Sequence, residues 1–428
     1  MNATRSAVGP LGHPPGLALL FGVEMWERFS YYGMRALLVL YLVNELKWSD
    51  VDAANLYGTY TGLAYAVQIA GGYLSDRFLG TRRSLMIGGM IIASGHFVLV
   101  VPGTFALYAG LGLVIAGTGL FKPNVSTMVG QLYAAGDTRR DSGFTIFYVG
   151  INVGATFAPL VTGYLALRAG WGWGFGAAGI GMVLGLIIYA CGRERYLKGI
   201  GLHKAHAGTA PRDQPKLSGI ERNRILALLL LFAFVALFWM GYDQAGSSVN
   251  LFTERHVHRT FGTFEVPTAW FQSVQPFAVL LFAPLFAFGW NVLGRRQREP
   301  SPSAKMAAGL GFLSFSFVVL GFAGRLSDSG ALVSPWWIVG AYVIQVLGEM
   351  CVSPVGLSYV TKVAPARFAS LLMAAWFLAT GLGNKLGGMM AAAGSGVPAL
   401  RFFMTTAVIT GIATLLLVVL VPRLQRVD

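Results

Sequence analysis

The sequence predicts an all-α integral membrane protein, twelve transmembrane helices arranged as two six-helix bundles. Three observations carry this expectation. Hydrophobic residues make up 55% of the chain and charged residues only 12%, with a mean hydropathy of +0.61; soluble domains are about 25% charged. Twelve apolar segments are long enough to span a bilayer. The positive charges then alternate between the two sides of those segments. Of the 32 Lys and Arg residues, 22 fall in one set of loops, 6 in the other and 4 within spans. Positively charged loops stay in the cytoplasm, so both termini are expected there, in a bacterial-type inner (plasma) membrane. The net charge of +14 is on this reading a topology signal, and it does not call for a nucleic-acid partner.

The first six spans cover roughly 16–44, 54–75, 84–101, 105–133, 143–167 and 173–192. The first is the most informative. Inside its apolar run stand Glu24, Glu27, Arg28 and Arg35. A charge at the bilayer centre is unfavourable by about 2.5–3.5 kcal/mol, so four of them facing lipid would be unfavourable by roughly 10 kcal/mol or more. At 3.6 residues per turn, Glu24, Glu27, Arg28, Tyr31, Tyr32 and Arg35 share an arc of roughly 140°. They are expected to line one wall of an interior cavity, with Glu24 and Arg28 paired one turn apart. A purely structural ion-pair knot is the alternative.

Between the second and third spans, residues 71–83 combine Gly71 and Gly72 with Asp76, Arg77, Arg82 and Arg83. The glycines suit a tight turn. Asp76 is expected to pair with an arginine or to cap the following helix. In the fourth span Lys122 precedes Pro123, which removes a helical hydrogen bond and frees a backbone carbonyl. An intramembrane lysine is a functional candidate, against snorkelling as the alternative. The fifth span places Asn152 among apolar residues, where helix–helix hydrogen bonding is the simpler explanation.

Residues 193–222 form a polar connection containing Pro211, Pro215, His203 and His206. It reads as a cytoplasmic linker between an N-terminal bundle, 1–192, and a C-terminal bundle, 223–428. The run Leu79–Arg83 after the second span is echoed by Leu293–Arg296 after the eighth, as two repeated halves would show.

The last six spans cover roughly 223–252, 267–290, 305–324, 335–361, 367–391 and 402–421. The seventh carries Asp243 in a polar, glycine-containing turn, and the tenth carries Glu349 one turn before Ser353 and Pro354. Lys385 lies late in the eleventh span and is expected to snorkel outward. Four interior acids (Glu24, Glu27, Asp243, Glu349) thus face three bases (Arg28, Arg35, Lys122), and different pairs could form in different states. Cys191 and Cys351 give neither a disulfide framework nor a metal cluster. Glu254–His258 offers too few ligands for a metal in what reads as an exposed loop. No P-loop is present, so ATP-driven transport has no support.

The first-span motif, E-x-x-E-R-F-x-Y-Y-G over Glu24–Gly33, resembles that of the proton-dependent oligopeptide transporters, a branch of the major facilitator superfamily. The resemblance extends to the loop at 71–83, to Phe147–Ala155, to the motifs of the fourth, seventh and tenth spans, and to Trp270–Ser273. It implies the major facilitator fold and symport of di- and tripeptides with protons by alternating access, without an enzymatic step and with no cofactor beyond the coupling proton. Glu24, Glu27 and Arg28 would be the proton-coupling cluster. Arg35 and Lys122 would receive the peptide carboxylate, and Glu349 and Asn152 the amino terminus, with Gln275 and Ser353 beside them. Tyr32, Tyr65 and Trp376 would shape side-chain pockets. Arg35 with Asp243 would close the outer side, and Lys122 with Glu349 the cytoplasmic side.

Three features depart from the family pattern. Gln275 stands where asparagine is usual, Asp243 where a longer glutamate is common, and the linker is too short for two extra helices. The protein is expected to act as a monomer in the bilayer. A proton-coupled porter of another small solute, such as nitrate or a peptide-like metabolite, is the nearest alternative. A non-transporting peptide sensor or a membrane enzyme are the others, and the chain shows no signalling domain and no nucleophile–base constellation.

Overall fold

A computed structural model describes residues 12–134, 136–202 and 217–425. His203, His206, Pro211 and Pro215 of the expected linker lie outside the described residues. Twelve long helices match the twelve expected spans. The first six are α1 (Pro15–Asn44), α2 (Asp50–Leu74), α3 (Thr81–Val98), α4 (Thr104–Gln131), α5 (Arg140–Ala169) and α6 (Trp171–Tyr196). The seventh span is α7 (Gly219–Tyr242), a 3-10 turn (Asp243–Gly246) and the short α8 (Ser248–His256). Then follow a two-stranded hairpin, β1 (Thr260–Phe261) and β2 (Phe264–Glu265), and α9 (Val274–Arg295), entered through a 3-10 turn. The set closes with α10 (Pro302–Asp328), α11 (Trp336–Val363), α12 (Ala369–Ala393) and α13 (Ala399–Leu424).

Eight of these stretches are long and apolar enough to cross a membrane by composition alone. Of the remaining long helices, α1, α2 and α12 have 30, 25 and 25 residues and α3 has 18, and they carry more polar or small residues. Large apolar side chains such as Phe105, Phe288, Leu415 and Val419 stand exposed, as on a surface made for lipid rather than water.

Local sequence explains the helix ends. Ser218 and Glu221 form a reciprocal capping box at the start of α7. Ser301 caps α10, with Pro302 in its first turn where no donor is needed. The turn expected between the second and third spans begins instead as helix: α2 continues into a π-helical segment, Ser75–Leu79. Gly80, at φ +76°, then reverses the chain. Asp76 is exposed, and α3 begins without a side-chain cap. Glu254 and His256, read from the sequence as loop, end α8.

The chain divides into two compact units, one of residues 12–37 and 66–202, the other of 38–65 and 217–425. The first has a core of Leu20, Val23, Leu85, Phe121, Phe147 and Met182. In it α2 and α4 approach so closely that a Cβ on Gly71 would overlap the carbonyl oxygen of Gly119. Arg82, at the start of α3, donates to the carbonyls of Leu197 and Ile200 just past α6. In the second unit the core contains Phe238, Leu313, Phe317, Tyr342 and Phe403. There the α2 backbone lies on α12: a Cβ on Gly58 would fall 2.7 Å from the Cα of Gly388.

Candidate functional site

In the first unit the charged stripe of α1 is buried, as its sequence setting requires. Glu24, Glu27 and Arg28 are 0%, 1% and 7% exposed. Arg28 forks onto its neighbour Glu27: Nε donates to Oε2 and Nη2 to Oε1, each at 2.5 Å. Its distance to Glu24 Oε1 is 3.5 Å. The expected Glu24–Arg28 pair is therefore secondary, because a second cation occupies Glu24. Lys122, from α4, donates to Glu24 Oε1. The other oxygen, Oε2, is buried and has no hydrogen-bond partner among the described residues.

Aromatic rings extend the stripe. The Arg28 guanidinium lies 4.9 Å from the Tyr31 ring centre, and the Arg35 guanidinium 5.7 Å from that of Tyr32. Such contacts favour a cation without neutralising it. Lys122 is held in α4 just before Pro123 and remains partly exposed. Asn152, in α5, spends its amide on its own helix, donating to the Tyr148 carbonyl at 3.0 Å.

The second unit carries the other two acids. Asp243 is 3% exposed. It accepts hydrogen bonds from Tyr57 at 3.3 Å and Thr61 at 3.2 Å, both in α2. Glu349, in α11, accepts from the Tyr242 hydroxyl at 2.5 Å. Gln275, in the first turn of α9, donates to Gln345 at 2.9 Å. Gln345 lies one turn from Glu349 on α11. The Ser353 hydroxyl is buried without a partner among the described residues. Trp376, in α12, packs edge-on against Phe232 and covers Gly356. Tyr65, near the middle of α2, lies beside Gly381 of α12.

Lys385 corrects an expectation. It does not snorkel: its ammonium donates to Thr59 at 2.7 Å, turning inward onto α2. The contact between α2 and α12 supplies the hydroxyl, and nothing in the local sequence of α12 reveals that neighbour. Tyr57, Thr61, Tyr242 and Gln345 are further polar participants that sequence reasoning passed over. Tyr242 and Gln345 were within reach, since they sit next to Asp243 and one turn from Glu349. The spacing of Tyr57 and Thr61, one turn apart on α2, is a weaker signal of the same kind.

Comparison with known proteins places this arrangement in context. The family model described as PTR2, POT family, matches residues 82–206 and 200–400. The uncharacterized transporter YclF of Bacillus subtilis (strain 168) is 37% identical, over 98% of this chain and 96% of its own. A di-/tripeptide transporter of Lactococcus lactis subsp. cremoris is 33% identical, over 98% and 97%. Among solved structures, a peptide transporter POT in complex with sulfate superposes with a TM-score of 0.92. It is 35% identical, with 98% of this chain and 96% of that one covered.

Proposed function

The chain belongs to the POT family, and from that premise we infer that it is a proton-coupled symporter of di- and tripeptides. It has the major facilitator fold and works by alternating access. The observation that carries the coupling reading is the buried carboxylate of Glu24, with one oxygen on Lys122 and the other unpartnered among the described residues. A proton has a place to go at Oε2. Once there, it removes the charge that holds Lys122, and an uncompensated buried cation seeks another anion.

A peptide's carboxylate is such an anion. Arg35 and Lys122 receive it, and Glu349 takes the peptide ammonium, with Asn152, Gln275 and Ser353 beside it. A zwitterion leaving water needs both partners, because an unpaired charge in a low-dielectric site is strongly disfavoured. Tyr32, Tyr65 and Trp376 shape the space around the peptide side chains. Arg35, Asp243, Lys122 and Glu349 exchange partners as access alternates. Glu27 and Arg28 form the fixed pair against which the Glu24 proton moves. No cofactor takes part besides the proton. The protein works as a monomer in the inner (plasma) membrane, with both termini cytoplasmic.

Reconstituted liposomes test the function directly. Labelled dialanine is expected to accumulate when a proton gradient, acid outside, is imposed, and to leak out when a protonophore collapses it. Uptake that ignores the gradient would overturn proton coupling. Absence of dialanine exchange with active reconstituted protein would overturn the substrate class.

A further inference from the structure

The 3-10 turn that ends α7, Asp243–Gly246, is held by three helices of its own unit. From α2, Tyr57 and Thr61 donate to Asp243 at 3.3 and 3.2 Å. From α11, the Tyr342 hydroxyl donates to the Ala245 carbonyl at 3.3 Å. Towards α12, Gln244 donates to the Gly387 carbonyl at 2.9 Å. The residue just before the turn is Tyr242, whose hydroxyl donates to Glu349 Oε2 at 2.5 Å. Successive helical residues point about 100° apart. Tyr242 and Asp243 therefore reach two different helices, α11 and α2, from one short stretch of backbone. Each contacts a buried or half-buried acid, or is one.

Tyr242 is suited to hold something still. It is 7% exposed. Its ring stacks on Phe238 at 5.6 Å and meets Trp239 edge-on at 5.2 Å. A phenol so packed has little rotational freedom, whereas a glutamate has three side-chain torsions to lose. A rigid donor on one carboxylate oxygen fixes the plane of the group before any ligand arrives, which lowers the entropy lost on binding. The hydroxyl engages one lone pair of Oε2, and an ionised carboxylate can accept several hydrogen bonds at once.

We propose that Tyr242 is the positioning residue for the Glu349 carboxylate, and that its bond to the next residue ties Glu349 to Asp243, so that the two acids respond to one another. The inference rests on the reading of Glu349 as the ammonium-binding group. A cation drawn to Glu349 pulls on the Tyr242 hydroxyl, and the displacement reaches Asp243 through a single peptide unit. Disturbing Asp243 must disturb Glu349 by the same free energy, since coupling between sites is reciprocal.

Tyr242→Phe removes only the hydroxyl and keeps the stacked ring. In dialanine counterflow, its KM is expected to rise about tenfold, with Vmax within about twofold of wild type, as for loss of one hydrogen bond to a charged group. Tyr242→His, which restores a ring donor, is expected to recover part of that loss. Thr61→Val removes one donor to Asp243 at nearly constant shape. Combined with Tyr242→Phe, it should give a KM that departs at least about threefold from the product of the single effects. An unchanged KM, a fall in Vmax alone, or a Tyr242→Phe protein that does not fold would each overturn the positioning role. Multiplicative single effects would overturn the tie to Asp243. Wild-type counterflow of dialanine, measured alongside, tests the functional reading separately.

Discussion

Glu24 is fully buried, yet Lys122 satisfies only one of its two oxygens. On the proposed reading, that asymmetry is what distinguishes a coupling site from a structural knot. In a knot, both oxygens would be engaged and neutralising the acid would chiefly lower stability. Here Glu24→Gln is expected to leave a folded protein that exchanges dialanine in counterflow but no longer concentrates it under a proton gradient. Glu27→Gln should behave alike, because its carboxylate fixes Arg28 beside Glu24. Proton-driven accumulation surviving in both variants would remove the cluster from coupling. Lys122→Ala strands a buried carboxylate, and losing one partner of such a pair is destabilising by about 3–5 kcal/mol. We expect it to abolish uptake and lower the melting temperature. Adding Glu24→Gln to Lys122→Ala should recover the melting temperature without recovering uptake. A double variant no more stable than Lys122→Ala would refute the pairing.

The helices themselves were legible in the sequence, because in a bilayer hydropathy and length decide them. The stripe on α1 was equally legible, since four charges in an apolar run cannot face lipid; Glu24, Glu27 and Arg28 are buried and Arg35 is half-buried. What stayed hidden was which helix lies against which. Lys122 was readable as an interior cation, but its bond to Glu24 depends on the approach of α4 to α1. Lys385 was misread for the same reason: Thr59 is distant in sequence and adjacent in space. The contact that brings them together is made by small residues. With Gly388 lying where a side chain on Gly58 would go, Gly58→Val forces α2 and α12 apart. Overpacking of this kind typically destabilises by about 1–3 kcal/mol. A lower melting temperature in detergent is expected, against little change for Gly112→Ala, which meets open space. Equal melting temperatures for the two variants would show that the α2–α12 contact is soft.

For the molecule as a whole, the distribution of positive charge remains the guide to orientation. Reporter fusions are expected to find both termini and the loop from Arg193 to Arg224 on the cytoplasmic side; a periplasmic terminus would invert the topology. The loop from α4 to α5 bears on how pH acts on the intact transporter. Arg139 hydrogen-bonds the Asp137 side chain and holds its carboxyl down to about 2. A carboxyl depressed in the folded state contributes stability above its unfolded value and loses it only as pH falls through the folded one. Asp137 therefore stays ionised throughout the neutral range, and its ion pair with Arg139 is constant there. Asp137→Asn should leave the pH profile of dialanine uptake unchanged, whereas Glu24→Gln should flatten it. A shifted profile for Asp137→Asn would place a titrating group in the loop.

Pro123 gives α4 one further property. Lacking an N–H, it cannot serve as donor to the carbonyl four residues back, which is that of Gly119. That same oxygen lies where the Cβ of Gly71 would be, so the direction facing it is taken by a Gly71 Cα hydrogen. A carbon donor is worth about half of an amide one. The Gly119 carbonyl should thus vibrate at higher frequency than its helical neighbours, and a single isotopically labelled carbonyl there would stand clear in the amide infrared band. Its frequency would report the spacing of α2 and α4 during a turnover, with no probe attached to the protein.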